Sequence, residues 1–281
     1  MITPRTEQSS LHDVASTIVL IGAGKMGSAM LDGWIGLGLD PSRVAVIEPQ
    51  PAPEISALTA RGLKLNPDRH AVSDPAVIVI AVKPQVAAEV VPAVAPLVGR
   101  STVVVSIMAG QRLATLERAL PAGTAIVRTM PNTPAAIGRG ISVAVANACV
   151  STPQRNLAHR LLAAIGAVEW VDEEALLDAV TAVSGSGPAY VFLLAEALAQ
   201  AGAAAGLPAD LAERLARATV AGSGELLHRS PLDAATLRRN VTSPGGTTEA
   251  ALAVLMGEQG IAPLMESAVG AATRRSRELA G

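Results

Sequence analysis

The chain is predicted to be an α/β protein, with a parallel-sheet domain in its first part and an all-helical domain in its second. Three observations carry this prediction. Short β-branched runs alternate with helical patterns as far as about residue 170, which is the pattern of a parallel sheet covered by helices. Several of those runs are apolar throughout, as strands buried on both faces must be. After Asp172 the composition turns to Ala and Leu with helical periodicity.

In chain order the expected strands are Thr17 to Ile21, Arg43 to Ile47, Ala76 to Val82, Thr102 to Ile107, Thr124 to Arg128 and Ile141 to Ala146. A final short strand is expected at Val168 to Val171. In the second part, Ala189 to Ala205 reads as a long apolar helix carrying Glu196 and Gln200 as its polar side chains. Ile261, Leu264, Met265, Ala268, Val269 and Ala272 then fall on one helical face. Pro263 fits the first turn of that helix, and Arg274, Arg275 and Arg277 suit its negative end. Residues 1–16 are polar and read as a flexible extension, with the domains at 17–172 and 173–281.

Nearly the whole circumference of Ala189 to Ala205 needs cover. Ala201 and Gly202 permit close helix contact, so the second domain is expected to bury this helix between the subunits of a homodimer. With two polar side chains the helix is expected to fall short of a membrane span.

Composition narrows the function. Half of the 281 residues are hydrophobic and 16% are charged, which excludes a disordered chain. Aromatic residues make up 1% and the net charge is -2, so neither a base-stacking platform nor a basic face for nucleic acid is present. Cys149 is the single cysteine, so no internal disulfide can form. Without a signal-peptide pattern the reading is a cytoplasmic protein that uses neither nucleic acid nor membrane.

The first strand runs into Gly22-Ala23-Gly24-Lys25-Met26-Gly27, and an amphipathic stretch follows from Ser28 to Leu37. In a strand–loop–helix context this spacing is the fingerprint of a Rossmann-type dinucleotide-binding domain. The first glycine makes the tight turn, the second admits a pyrophosphate, and the third packs helix on strand. The second strand leads to Glu48, an acid placed to accept from the ribose hydroxyls and to repel the 2'-phosphate of NADP. The third strand ends at Ala81-Val82-Lys83-Pro84 and the fourth at Met108-Ala109-Gly110, both at the carboxyl edge where open sheets bind ligands. These segments are candidate cofactor contacts, with NADH and NADPH both open and the charge of Glu48 favouring NADH.

In the helical part, Ser243-Pro244-Gly245-Gly246-Thr247-Thr248 interrupts the helices and leads into a new one. It reads as a small anion-binding cup built from free amides and hydroxyls. His12, His70, His159 and His228 are scattered and suggest no metal site. No lysine follows Lys83. Enzymes resembling the β-hydroxyacid dehydrogenases move an alcohol proton with a lysine on the long helix, so that chemistry lacks its partner here. Reducing a C=N bond needs only a hydride and a hydrogen-bond donor, because an iminium arrives protonated.

Together, Gly22 to Gly27, Ala81 to Pro84, Arg128-Thr129-Met130-Pro131-Asn132-Thr133-Pro134, Ser184-Gly185-Ser186-Gly187-Pro188-Ala189-Tyr190 and Val241 to Thr248 resemble the ordered motifs of the pyrroline-5-carboxylate reductase family. The resemblance runs from about Thr17 to the C-terminus. It implies reduction of 1-pyrroline-5-carboxylate to L-proline by NADPH or NADH. It also implies that Thr248 is the catalytic hydrogen-bond partner of the ring nitrogen, that Thr247 with the Gly245 and Gly246 amides holds the carboxylate, and that Asn240 faces the cofactor. Dimers through the helical domain, assembling into decamers, belong to the same expectation. Reduction of the related six-membered piperideine carboxylate, or a nucleotide-binding regulatory protein without turnover, are the alternatives.

Overall fold

The computed structural model describes residues 10–68, 72 and 74–280. His70 and residues 1–9 of the expected extension lie outside them. The chain divides into two compact units.

One unit, residues 10–185 with 273–280, is built on an eight-stranded sheet. Its strands are β1 (Ile18–Ile21), β2 (Val44–Ile47), β3 (Lys64–Leu65), β4 (Val77–Ile80), β5 (Val103–Ser106), β6 (Ala125–Met130), β7 (Gly140–Ala146) and β8 (Gly166–Trp170). Their order is β3-β2-β1-β4-β5-β6-β7-β8, with every pair parallel except β6 and β7. The direction of winding reverses between β1 and β4, and ligands of such sheets bind outside the strand ends at that point.

Six helices lie in the same part of the chain: α1 (Lys25–Gly36), α2 (Pro53–Ala57), α3 (Ala87–Val94), α4 (Leu113–Ala119), α5 (Thr152–Ala163) and α6 (Leu176–Val180). Alternation along the strands gives the sheet two cores. Ile18, Leu20, Val77 and Val79 face Met30, Leu31 and Trp34 of α1 and Leu161 and Leu162 of α5. Val19, Ile21, Ile78 and Ile80 face Val91 and Val94 of α3 and Leu116 of α4. The Trp34 indole N–H donates to the Leu161 carbonyl at 2.9 Å and ties α1 to α5 inside the first core.

Three features of this unit go beyond local pattern. The sheet is not wholly parallel, because after Pro131 a short turn over Thr133–Ile137, which contains Pro134, sends β7 back alongside β6. Part of the expected extension is anchored: Leu11 and Val14 are buried in the first core, and the Leu11 N–H bonds the Leu37 carbonyl at 2.9 Å, while residues 12, 13, 15 and 16 are exposed. In the structure the two compact units divide after Gly185. Leu177 of α6 packs with Val143 and Val145 of β7, which holds this segment to the sheet. The Ser276 hydroxyl donates to the buried Asp178 carboxylate at 2.7 Å, which holds the last turns of the chain to α6.

The other unit, Ser186–Ala272, is all helical. It contains α7 (Gly187–Ala204), α8 (Ala209–Arg229), α9 (Ala234–Asn240), α10 (Thr247–Leu255) and the larger part of α11 (Ile261–Leu279). Helices α7 and α8 pack closely, because a β-carbon on Gly202 would meet the Ala212 side chain at 3.3 Å. No residue of α7 is buried, and Phe192, Leu193 and Leu194 are more than half exposed, at 67%, 62% and 52%. The expected shortfall for a membrane span is corrected. A helical run over Leu176–Ala204, 29 residues whose most apolar 18-residue stretch has mean hydropathy 1.3, is long and apolar enough by length and composition to cross one.

Candidate active site

The glycine-rich turn sits where β1 ends beside β4. Gly22 has φ 89°, and a β-carbon there would lie 2.8 Å from Val82 and 2.9 Å from the Ala81 backbone, so only glycine fits. A β-carbon on Gly27 would lie 2.2 Å from the Gly22 carbonyl oxygen, which fixes how closely α1 approaches β1. Gly24 is the opposite case. Nothing lies within 4 Å of its missing β-carbon, so the backbone is open to a ligand. Gly24 caps α1 with no side-chain hydrogen bond, and the first turn carries no acid. The amides at this helix start, with the positive end of the dipole, therefore remain for an anion such as a pyrophosphate.

A cavity of about 580 Å³ opens beside this turn. Gly22, Gly24, Glu48, Ala81, Val82 and Lys83 line it, so six of the expected cofactor residues converge. Val86, Val90 and Val94 also line it, at i, i+4 spacing along α3 and the turn before it. That repeat is visible in the sequence as an apolar helical face. An apolar wall opposite a glycine turn and an acid suits the adenosine half of a dinucleotide.

Other expected contacts are placed differently. Met26 packs against the first core and Met108 is buried in the second, so neither side chain faces the cavity. Ala23 is buried, Lys25 is exposed, and Pro84 opens the short turn before α3. Ala109 and Gly110 follow β5, with Gly110 at φ 74°.

Glu48 is held from three sides. Its carboxylate accepts the Ala23 N–H at 2.8 Å and the Gln50 N–H at 3.0 Å. Its own N–H donates to the Asn66 side-chain oxygen at 2.9 Å, and its carbonyl accepts from the Asn66 amide nitrogen at 3.0 Å.

The Arg128 to Pro134 segment runs from the end of β6 into the loop after it. Arg128 is buried and paired with Glu174 at 2.7 Å, and Glu174 also accepts the Leu113 N–H at 2.8 Å. Asn132 accepts the Ile141 N–H at 2.9 Å and donates to the Ser184 hydroxyl at 3.2 Å. These side chains brace the loop. Glu174 had no sequence signal, because its partners lie 46 and 61 residues away.

The Ser243 to Thr248 segment lies in the helical unit. The Gly246 N–H bonds the Ser243 carbonyl at 3.0 Å, and Gly245 takes φ 69°, the left-handed conformation that closes the turn. Gly246 caps α10 without a side-chain bond, Thr247 and Thr248 are its first two residues, and the Gly245 N–H donates to Glu249 at 2.7 Å. Asn240 is the exposed last residue of α9. Among the described residues no cluster of His, Cys, Asp or Glu could hold a metal.

A doubly wound sheet with a glycine turn, an acid after β2 and a cleft at the switch point defines a nicotinamide-dependent oxidoreductase. Residues 17–110 match the family described as NADP oxidoreductase coenzyme F420-dependent, and residues 174–279 match pyrroline-5-carboxylate reductase dimerisation. The chain belongs to the pyrroline-5-carboxylate reductase family. It is 42% identical over 266 residues to the Pseudomonas aeruginosa pyrroline-5-carboxylate reductase, covering 94% of this chain and 96% of that one. It is 38% identical over 265 residues to the Glycine max enzyme, with 94% and 96% covered. The solved Coxiella burnetii pyrroline-5-carboxylate reductase superposes with TM-score 0.88 at 35% identity, over 95% of this chain and 99% of that one. The Plasmodium falciparum pyrroline carboxylate reductase, solved with NADP bound, superposes with TM-score 0.80 at 28% identity, over 95% and 99%.

Proposed function

We propose that this chain reduces 1-pyrroline-5-carboxylate to L-proline, the last step of proline biosynthesis, using NADH or NADPH. The observation that carries the assignment of roles is the turn before α10, with Gly245 at φ 69° and Thr248 in the first turn of a helix that no side chain caps.

The substrate is a cyclic imine bearing a carboxylate. The Ser243 and Thr247 hydroxyls, with the Gly245 amide once it is released from Glu249 and the Gly246 amide once it is released from the Ser243 carbonyl, hold that carboxylate at the positive end of α10. The Thr248 hydroxyl hydrogen-bonds the ring nitrogen and fixes which ring atom faces the reductant. The reduced nicotinamide supplies a hydride when bound. Because the nitrogen arrives protonated, hydride addition at the C=N carbon converts the iminium to a secondary amine, and no residue has to deliver a proton to it. Gly22 to Gly27, Glu48, Ala81 to Pro84 and the Met108 to Gly110 backbone hold the dinucleotide, and Asn240 faces it from α9.

The working unit is a homodimer that buries the apolar face of α7, and the dimers assemble into a decamer in the cytoplasm, without membrane or nucleic acid. The exposed Phe192, Leu193 and Leu194 support a protein partner for α7.

The test is oxidation of NADH and NADPH by the purified chain with the five-membered and the six-membered imino acid in parallel. Turnover favouring the five-membered ring is expected. Dinucleotide binding without turnover of either ring would overturn the assignment in favour of a nucleotide-binding regulator.

A further inference from the structure

Asn66 stands immediately after β3, the short edge strand, and is one of two non-glycine residues among those described with positive φ, at 45°. Asparagine enters this region more readily than most residues, but the conformation remains costly and persists where surrounding contacts enforce it. Here the contacts are specific. The Asn66 N–H bonds the Val46 carbonyl at 2.8 Å, which extends the ladder between β2 and β3. Its side-chain amide then turns back onto Glu48, accepting from the Glu48 N–H at 2.9 Å and donating to the Glu48 carbonyl at 3.0 Å. One side-chain amide thus replaces the peptide that a further strand residue would have supplied, at the position where β2 has already ended.

The consequence reaches the glycine turn. With its backbone clamped on both sides, Glu48 extends its carboxylate to the Ala23 N–H at 2.8 Å and the Gln50 N–H at 3.0 Å, while the residue lines the cavity beside Gly24. Each carboxylate oxygen keeps a lone pair, and both are fixed in direction by an amide.

We propose that Asn66 is a positioning residue for dinucleotide selection: by clamping the Glu48 backbone it holds the Glu48 carboxylate where it accepts from a ribose diol and opposes a 2'-phosphate. This rests on the assignment of Glu48 to the adenosine ribose. Glu48 lines the cavity and Asn66 does not, so the effect of Asn66 passes through Glu48.

Isothermal titration of the intact protein with NADH and with NADPH tests this without turnover. Glu48→Gln is expected to shift the ratio of the two dissociation constants toward NADPH. Asn66→Gly keeps the backbone conformation and removes only the amide. It should weaken NADH by roughly two- to tenfold, the range of one neutral hydrogen bond, with a smaller change for NADPH. In the double variant the ratio should move no further than in Glu48→Gln alone, because a residue that acts through another adds nothing once the other is gone. Asn66→Asp keeps the acceptor for the Glu48 N–H and loses the donor; it should fall between wild type and Asn66→Gly, and it carries the test if Asn66→Gly does not fold. A ratio that moves in Glu48→Gln but not in the Asn66 variants overturns the positioning role. A ratio unmoved in Glu48→Gln overturns the ribose assignment itself and the positioning role with it.

Discussion

Glu249, the third residue of α10, reaches back to accept the Gly245 N–H at 2.7 Å. The amide assigned to the substrate carboxylate is therefore held by a carboxylate of the chain itself, in the first turn of the same helix. An anion entering the turn must displace Glu249 or share Gly245 with it.

Replacing Glu249 by Ala frees that amide and removes a negative charge from the substrate's end of the helix. The KM for the imino acid should fall by roughly two- to fivefold, matching a helix-terminus charge effect of about 0.3–1 kcal/mol. Steady-state kinetics at saturating dinucleotide reads this directly, and a raised KM would mean that Glu249 serves to order the turn.

Thr248→Ala should lower kcat/KM by roughly ten- to a thousandfold, the range expected when the group that orients the reacting ring is removed. Circular dichroism should remain that of the parent, since Thr248 is a partly exposed first-turn residue. Unchanged kinetics would remove Thr248 from the mechanism.

The glycines of the nucleotide turn should separate binding from folding. Gly24→Ala places a methyl in open space. It should leave Tm near the parent value while weakening dinucleotide binding by roughly tenfold, equivalent to about 1.4 kcal/mol. Gly27→Ala drives a methyl to 2.2 Å from the Gly22 carbonyl oxygen. It should lower stability by about 1–3 kcal/mol through overpacking, visible in thermal unfolding before any ligand is added.

The assembly proposal is tested on α7. Leu194, 52% exposed in the single chain, should tolerate Glu in an isolated subunit but not at a buried interface. Analytical ultracentrifugation at micromolar concentration should give a dimer or larger for the parent and a smaller species for Leu194→Glu. A monomeric parent would refute the homodimer.

Asp32 on α1 has its carboxyl held above the ordinary carboxylate range, first by burial and then by the charge of Glu54 on α2. The folded state therefore binds this proton more tightly than the unfolded chain does. Stability from this site falls as pH rises from the ordinary carboxylate value through the raised one. Asp32→Asn should raise Tm at neutral pH and lose that advantage at lower pH, a comparison that needs only thermal melts across pH.

Much of this protein was legible without coordinates. The seven expected strands all formed, with ends shifted by at most a few residues, because an apolar run covered on both faces declares itself locally. The glycine turn, Glu48 and the strand end at Ala81 to Lys83 converged on one cavity, because their spacing encodes a strand–loop–helix turn. The two-residue β3 was not visible, since so short an edge strand has no period to detect.

By itself the sequence determined the sheet with its helices, the nucleotide turn and the unusual loop before α10, all of which follow from local periodicity and turn chemistry. Only the tertiary structure decided the reversal of β7, the burial of Leu11, the division after Gly185, the clamp of Asn66 on Glu48 and the hold of Glu249 on Gly245. Four of these join or separate segments far apart in the chain, and in the fifth the left-handed Gly245 turn brings Glu249 back onto it. Their physical basis is packing and backbone direction, which no sequence period records.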